Sequence, residues 1–245
     1  AELAGKVDGP VKVIWTRGVV MQHDFYRPAS YHDFSAILGV DGMPEAWCHR
    51  IASQSILQRM VPSWVPGFAT NWAGASDPTS TEGAQDQPYR IPNVRVTYSK
   101  VDLPVPVGFW RSVGHTQNAF VVESFIDELA NLAGQDPYEY RRTLLSEHPR
   151  HRAVLDAVAE ASEWASPVSG GRARGIAVAE SFGSFVAEVA EVSIQDGQLH
   201  VHKVRCAIDC GMVVNPAIVR AQMESGIVYG LTAALYGRIN IQGGR

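Results

Sequence analysis

The sequence predicts an α+β fold, antiparallel hairpins with helices packed on one side, on three observations. Two Asp-Gly pairs, Asp41-Gly42 and Asp196-Gly197, are each flanked by alternating apolar and polar residues, the pattern of a tight hairpin. Three stretches between residues 117 and 164 carry helical periodicity or helix-start chemistry. Strands and helices come in blocks rather than in βαβ alternation, which argues against a parallel doubly wound sheet.

Taken in order, "AELAG" leads into "VKVIWTR", which reads as a strand. Residues 31–56 alternate around Asp41-Gly42 as a hairpin. Residues 57–88, rich in Pro, Gly, Ser, Asn and Asp, read as a long irregular loop, a kind usually functional inside compact domains. "YRIPNVRVTYSKVDLP" is a further strand. A helix follows over about residues 117–133, with Val122, Phe125, Ile126, Leu129 and Leu132 as its apolar stripe and Gly134 beyond its end. Asp136 as N-cap, Pro137 and Glu139 start a second helix, and "HPRHRAVLDAVAEASEW" is a third. "ASPVSGGRARG" then marks the internal boundary, dividing residues 1–165 from 166–245. Beyond it "RGIAVAESFGSFVAEVAEVSI" and "QLHVHKVRCAID" are strands joined at Asp196-Gly197. "DCGMVVNP" turns at Asn215-Pro216 into a last helix. "RINIQGGR" reads as a strand and turn with no returning partner, so the chain reads as an interior piece of a longer protein, truncated at both ends.

At 245 residues, 46% hydrophobic and 19% charged, the chain has the composition of one large or two small globular domains with a real core. A net charge of -4 argues against non-specific nucleic-acid binding, which needs a basic face. No apolar run approaches a bilayer span, and no basic stretch precedes an apolar one as in a signal peptide. Cys48, Cys206 and Cys210 are too few and too odd in number for a disulfide framework, and they read as buried strand thiols.

"VGFWRSVGHTQNAF", residues 107–120, poses the sharpest question. Arg111 stays charged at any working pH, so it either lies on the surface or meets an anionic or strongly polar partner inside. The last helix has a small-residue face of Ser225, Gly226, Gly230 and Ala233. Each interior glycine costs about 1 kcal/mol against alanine, which fits either tight packing or the close approach of a flat ligand. Gln222, one turn before Gly226, offers a donor and an acceptor there. The helix start at Asn215 suits a phosphate or other acceptor, or only its own cap, and Gly211 permits close approach. Asp209 reads as a turn or strand-end acceptor, and Asp24 with Arg27 as an ion pair. His200 and His202 share a strand face without a third metal ligand, and His148 and His151 read as surface. "FGSF", residues 182–185, holds a glycine inside a strand pattern and suggests a bulge or a close approach. No Ser-His-Asp order, Walker loop or GxGxxG is present.

"PVPVGFWRSVGHTQNAFVVESFIDELA" and "DCGMVVNPAIVRAQMESGIVYGLTAALYG" resemble the molybdopterin-binding large subunit of the xanthine dehydrogenase/aldehyde oxidase family, in the branch of the isoquinoline 1-oxidoreductase β-subunits. "PVKVIWTR", "QHDFYRP", "IPNVRV" and "DPYEYRRTLL" fit the same branch in the same order. The resemblance implies a two-part fold that holds a molybdenum-pterin cofactor, in this branch molybdopterin cytosine dinucleotide, with the metal carried by the pterin and not by protein ligands. It makes Arg111 the arginine facing substrate and metal in a dry crevice. Trp110 and Val113 then shape the pocket, Gly114 and Gln117 continue the loop, and Gln222 contacts the pterin beside Gly226. Gly211 and Asn215 belong to the loop before it. The implied reaction is hydroxylation of an aldehyde or N-heterocycle, with water as the oxygen source and a glutamate as base. Electrons leave through a small subunit carrying [2Fe–2S] clusters toward a downstream acceptor. The family is compatible with a bacterial cytoplasmic or periplasmic setting, or with membrane association through partners. A non-catalytic binding or assembly module keeping the fold is the alternative. Three departures stand out. The catalytic glutamate of the family's "GxGE" motif is expected beyond residue 245, the "GGGFG" loop is absent, and Gly18-Val19-Val20 replace acidic residues. Ser225 also stands where glycine is usual.

Overall fold

The computed structural model describes residues 2–60, 65–66 and 77–242. Two three-stranded sheets and a helical layer organise the chain. Strands β1 (Ser30–Leu38) and β2 (Pro44–Ser53) pair antiparallel across the Asp41-Gly42 turn, as expected. Gly42 has φ 77°, a conformation open to glycine, and Asp41 Oδ1 accepts the Met43 N–H at 3.0 Å. Strand β3 (Asn93–Lys100) joins β2 in parallel, from Ala46↔Asn93 to Ser53↔Lys100. That pairing departs from the all-antiparallel expectation, because residues 54–92 cross over instead of forming a tight turn. The crossover contains α2 (Ile56–Met60) and α3 (Pro78–Thr81); residues 61–64 and 67–76 of the expected long loop lie outside the described residues.

Two expected strands do not form. Residues 11–16 of "VKVIWTR" carry no strand, and Val13, Ile14 and Trp15 are exposed ahead of α1 (Arg17–His23). Residues 238–242 of "RINIQGGR" likewise form none. Period-two alternation becomes a strand only where a ladder partner satisfies its backbone, and among the described residues neither segment has one. Asp24, expected to pair with Arg27, instead accepts the Phe25 N–H at 2.8 Å.

The helical layer is α4 (Gly114–Leu132), α5 (Pro137–Leu144) and α6 (Pro149–Ala161). Val122, Ile126 and Leu129 of α4 are buried as expected, while Leu132 at its last turn is 74% exposed. Asp136 caps α5 by accepting the Tyr138 and Glu139 N–H groups at 2.9 and 3.1 Å. The second sheet is an antiparallel meander of β4 (Arg172–Ser181), β5 (Ser184–Gln195) and β6 (Gln198–Asp209). "FGSF" is not a bulge in one long strand: Phe182 (φ 50°) and Gly183 (φ 76°) form the turn between β4 and β5. Asp196 and Gly197 have φ 52° and 74°, as a two-residue hairpin of this kind requires.

Phe185, Ala187 and Val189, alternate residues of β5, face the helices and join one core with Trp47, Ile126, Leu155, Val158 and Ile176. That core is continuous across residue 165. At its centre Arg141 is fully buried and gives Nε to Glu123 Oε2 at 2.9 Å and Nη1 to Asp127 Oδ1 at 2.6 Å. Glu123 also accepts the Tyr89 hydroxyl at 2.5 Å and the Val178 N–H at 2.9 Å, tying helix layer to sheet. Helix α7 (Pro216–Leu235) differs from α4, α5 and α6: none of its residues is buried. The three cysteines are free and half-buried, and burial with Glu188 beside it pushes the Cys206 thiol up to about 12.

Candidate functional site

The loop bearing Arg111 is held from below. Tyr26 and Val107 form a parallel bridge, with Tyr26 N–H to Pro106 O at 2.9 Å and Gly108 N–H to Tyr26 O at 3.0 Å. A Cβ on Gly108 would stand 2.8 Å from Phe25 Cβ, so this position admits no side chain. The loop then tightens: the Val113 N–H reaches Trp110 O at 2.9 Å, and the Thr116 hydroxyl donates to Arg111 O. Ser112 and Val113 take φ 65° and 50°, an outlying conformation for a β-branched residue. Strain of this kind persists only where neighbours over-determine the backbone.

Those neighbours come from the α3 turn. Gly114 donates its N–H to Glu82 Oε1 at 2.8 Å, and a Cβ there would stand 2.5 Å from Thr79 O. The Asn118 carboxamide donates to Ser80 O and Glu82 O at 3.0 and 2.9 Å. The start of α4 is therefore stapled onto residues 79–82, and Gly114 faces that turn. Gln117 is buried beside it, and its Oε1 has no hydrogen-bond partner among the described residues.

On the other side the loop meets α7. Arg111 Nη2 donates to Gln222 Oε1 at 3.2 Å, and its guanidinium lies 5.7 Å from the Tyr229 ring centre. Trp110 and Tyr229 rings are 5.3 Å apart at 35°. Gln222, Gly226 and Tyr229 follow at i, i+4 and i+7, one stripe of the helix, with Gly226 leaving a gap between the two side chains. The structure thus brings Trp110, Arg111 and Gln222 together with Gly226 and adds Tyr229. That last residue escaped sequence reasoning, although its seven-residue offset from Gln222 carries the signal. Burial raises the Tyr229 hydroxyl above its usual range, while the charges of Arg111 and Arg27 pull it down.

Several expectations are corrected here. Arg111 is exposed and not enclosed in a dry crevice, since its described partners cover one side of it only. The first donors of α7 are not free for a phosphate: Asn215 Oδ1 takes the Ala217 and Ile218 N–H groups at 3.0 and 3.3 Å, and its carbonyl takes that of Val219 at 3.2 Å. Apart from the helix's own backbone and chain neighbours, no atom of the described residues lies within 4 Å of where a Cβ on Gly226 or Gly230 would stand, so neither glycine serves tight packing among them. Gly211 is exposed with φ 74°, a left-handed turn at the root of α7, and gives its N–H to Asp209 Oδ1 at 2.9 Å.

Elsewhere, His151 is buried and not superficial, edge-on to Phe185 at 4.7 Å, and burial next to His148 and Arg150 pushes it down to about 4. His202 shares a hydrogen bond of 2.8 Å with Ser193. No group of three His, Cys, Asp or Glu able to hold a metal ion occurs among the described residues. No helix of the described residues is long and apolar enough to cross a membrane.

Two family models, each described as a molybdopterin cofactor-binding domain, match residues 1–145 and 127–245. The beta subunit of isoquinoline 1-oxidoreductase from Brevundimonas diminuta is 33% identical over 250 residues, covering 100% of this chain and 31% of that protein. The B subunit of nicotinate dehydrogenase from Pseudomonas putida is 29% identical over 267 residues, covering 98% of this chain and 22% of its own length. A membrane-bound aldehyde dehydrogenase of Gluconacetobacter polyoxogenes, named for pyrroloquinoline quinone, is 25% identical over 282 residues, with 100% and 34% covered. The chain spans about a third or less of the length of these relatives.

Proposed function

We propose, from the premise that the chain belongs to the molybdopterin cofactor-binding domain family, that it forms part of the large subunit of a molybdenum hydroxylase. The substrate is an electron-poor carbon of an N-heterocycle, and water is the source of the added oxygen. The names of the relatives at 33% and 29% identity support an N-heterocycle, and that at 25% an aldehyde. The observation that carries the reading is the Arg111–Gln222 contact, which joins the two segments whose motifs resemble the family most.

The donor set fits the group. Arg111 keeps further N–H donors beyond the one given to Gln222, a fixed cation suited to anionic oxygens. The free carboxamide nitrogen of Gln222 can donate to the edge of a pterin, and the Tyr229 hydroxyl can donate or accept. Trp110 and Tyr229 supply an aromatic wall that keeps water from one side, and Gly226 leaves room beside them. Val113 and Gly114 fix the loop geometry, Gln117 holds an unused acceptor behind it, and Gly211 and Asn215 set the root of α7. When bound, the cofactor supplies the two-electron oxidation; these residues hold and orient it. In the same reading residues 1–165 and 166–245 belong to two successive cofactor-binding domains. The cofactor is the cytosine dinucleotide form, and a small subunit with [2Fe–2S] clusters passes electrons to a downstream acceptor.

The test uses the molybdenum-loaded large subunit with its small subunit. Molybdenum and pterin per protein, and turnover of an N-heteroaromatic and an aldehyde in parallel, are compared for wild type and Arg111→Ala. At least tenfold lower turnover in a folded variant is expected. Wild-type turnover and retention would remove Arg111 from the site, and cofactor bound by the wild type without any turnover would favour an assembly module.

A further inference from the structure

Helix α7 carries Gln222 and Tyr229 but has no buried residue, so burial among the described residues does not set its direction. Its contacts with Trp110 and Arg111 are made at an exposed surface, where one hydrogen bond and one ring pair are weak guides. The firmest hold on the helix among the described residues is at its root, which is clamped. Asp209, last residue of β6, accepts Arg150 Nε on Oδ2 at 2.7 Å and Arg150 Nη2 on Oδ1 at 2.8 Å. This is the two-point geometry that arginine offers and lysine does not. The same Oδ1 takes the Gly211 N–H at 2.9 Å, just where the chain turns left-handed toward Asn215. Arg150, at the second position of α6, lies over the Phe185 ring at 4.1 Å, and Phe185 is the register partner of Asp209. Buried Phe185 thus backs an ion pair whose carboxylate also fixes the first turn of the loop.

We infer that Arg150 and Asp209 are positioning residues: their bidentate pair aims α7 so that Gln222 and Tyr229 meet Arg111 and Trp110. The functional meaning rests on the reading of that cluster as the cofactor-facing surface. The described contacts of the pair do not include the cluster, and it acts through the loop 209–215.

The test is read first on the full-length large subunit, by NMR with protonated Trp, Tyr and Phe in a deuterated background. The cross-ring signal between Trp110 and Tyr229 reports the aim of α7, and that between Phe34 and Phe125, at 4.7 Å, reports an intact fold. Asp209→Asn and Arg150→Lys should each weaken the first signal at least fivefold and leave the second unchanged. The inference is overturned if the Trp110–Tyr229 signal keeps its strength in both variants, or if both signals vanish together in both. Molybdenum retained by the loaded subunit is the second readout, with at least a fivefold loss expected in Arg150→Lys. Full retention with the ring signal lost would leave the positioning role standing and sink the cofactor reading of the cluster.

Discussion

Glu123 and Arg141 form an ion pair at 2.9 Å in which the arginine is fully buried, and every described acceptor around that guanidinium belongs to α4 or the start of α5. The pair is more than two charges, because Glu123 also holds the Tyr89 hydroxyl and the backbone of β4 at Val178. Removing one partner leaves the other charge buried without compensation, which costs about 3–5 kcal/mol. Arg141→Met should therefore lose roughly that much in urea unfolding. Arg141→Met combined with Glu123→Leu should recover part of the loss, since a buried pair replaced as a whole by apolar groups is often tolerated. The recovery is incomplete because the Val178 N–H then stays unpaired, at about 1–3 kcal/mol.

Gly114 gives a steric prediction. Its missing Cβ would stand 2.5 Å from Thr79 O and 2.8 Å from Glu82 Cγ, and a backbone oxygen cannot swing aside. Gly114→Ala should destabilise by about 1–3 kcal/mol, as overpacking does, although alanine is the better helix former. A rise in stability measured by thermal unfolding would show that the α3 turn is not pressed against α4.

Acid should loosen the fold through two histidines. His49 is fully buried, bonded to His32 at 2.9 Å and stacked on Phe34 at 3.9 Å, and burial with His32 beside it pushes it down to about 3. His151 is pushed down to about 4. Each is neutral in the fold, while the unfolded chain binds a proton near the ordinary histidine value of 6.5. The unfolded state thus takes up more protons below that value, so their contribution is complete above it and is lost as pH falls toward 4 and then 3. Denaturation followed from pH 7.5 to 4.5 should show stability flat above 6.5 and falling below. His49→Gln should flatten the fall, and an unchanged slope would assign the loss to other groups.

The turns and caps were legible because their chemistry is local. Asp41-Gly42, Asp196-Gly197, Asp136 and Asn215 each act on residues within about one turn of themselves, and each sits where its sequence signal put it. Partnership is not local. Alternation in "VKVIWTR" specifies two faces and no neighbouring strand, so it could not reveal that residues 11–16 find no ladder partner among the described residues. The parallel β2–β3 pairing was hidden for the same reason. Nothing in the helix-start pattern of "DPYEYRRTLL" singles out Arg141, and only the packing of α5 on α4 brings it to Glu123. In the candidate site, resemblance and not spacing linked Arg111 to Gln222, which lies 111 residues away. Exposure of Arg111 was beyond both, because burial is a property of the assembled surroundings.

Tyr229 separates a role in stability from a role at the site. Its helix buries no residue, so Tyr229→Ala removes little core, and surface changes of this kind usually stay within about 0.5 kcal/mol. The substitution does remove the ring facing Trp110 and the surface lying under the Arg111 guanidinium. A guanidinium over an exposed ring is worth about 0.5–1 kcal/mol, so its loss should shift Arg111 toward other rotamers by a factor of about 2–5. Tyr229→Phe keeps the ring and loses only the hydroxyl. Urea midpoints should then match across wild type, Tyr229→Phe and Tyr229→Ala, while molybdenum retention in the loaded subunit falls in the order wild type, Phe, Ala. Equal retention in all three would mean that the ring orders nothing the cofactor uses, and a fall in midpoint for the alanine variant would mean that α7 is packed more firmly than its exposure indicates.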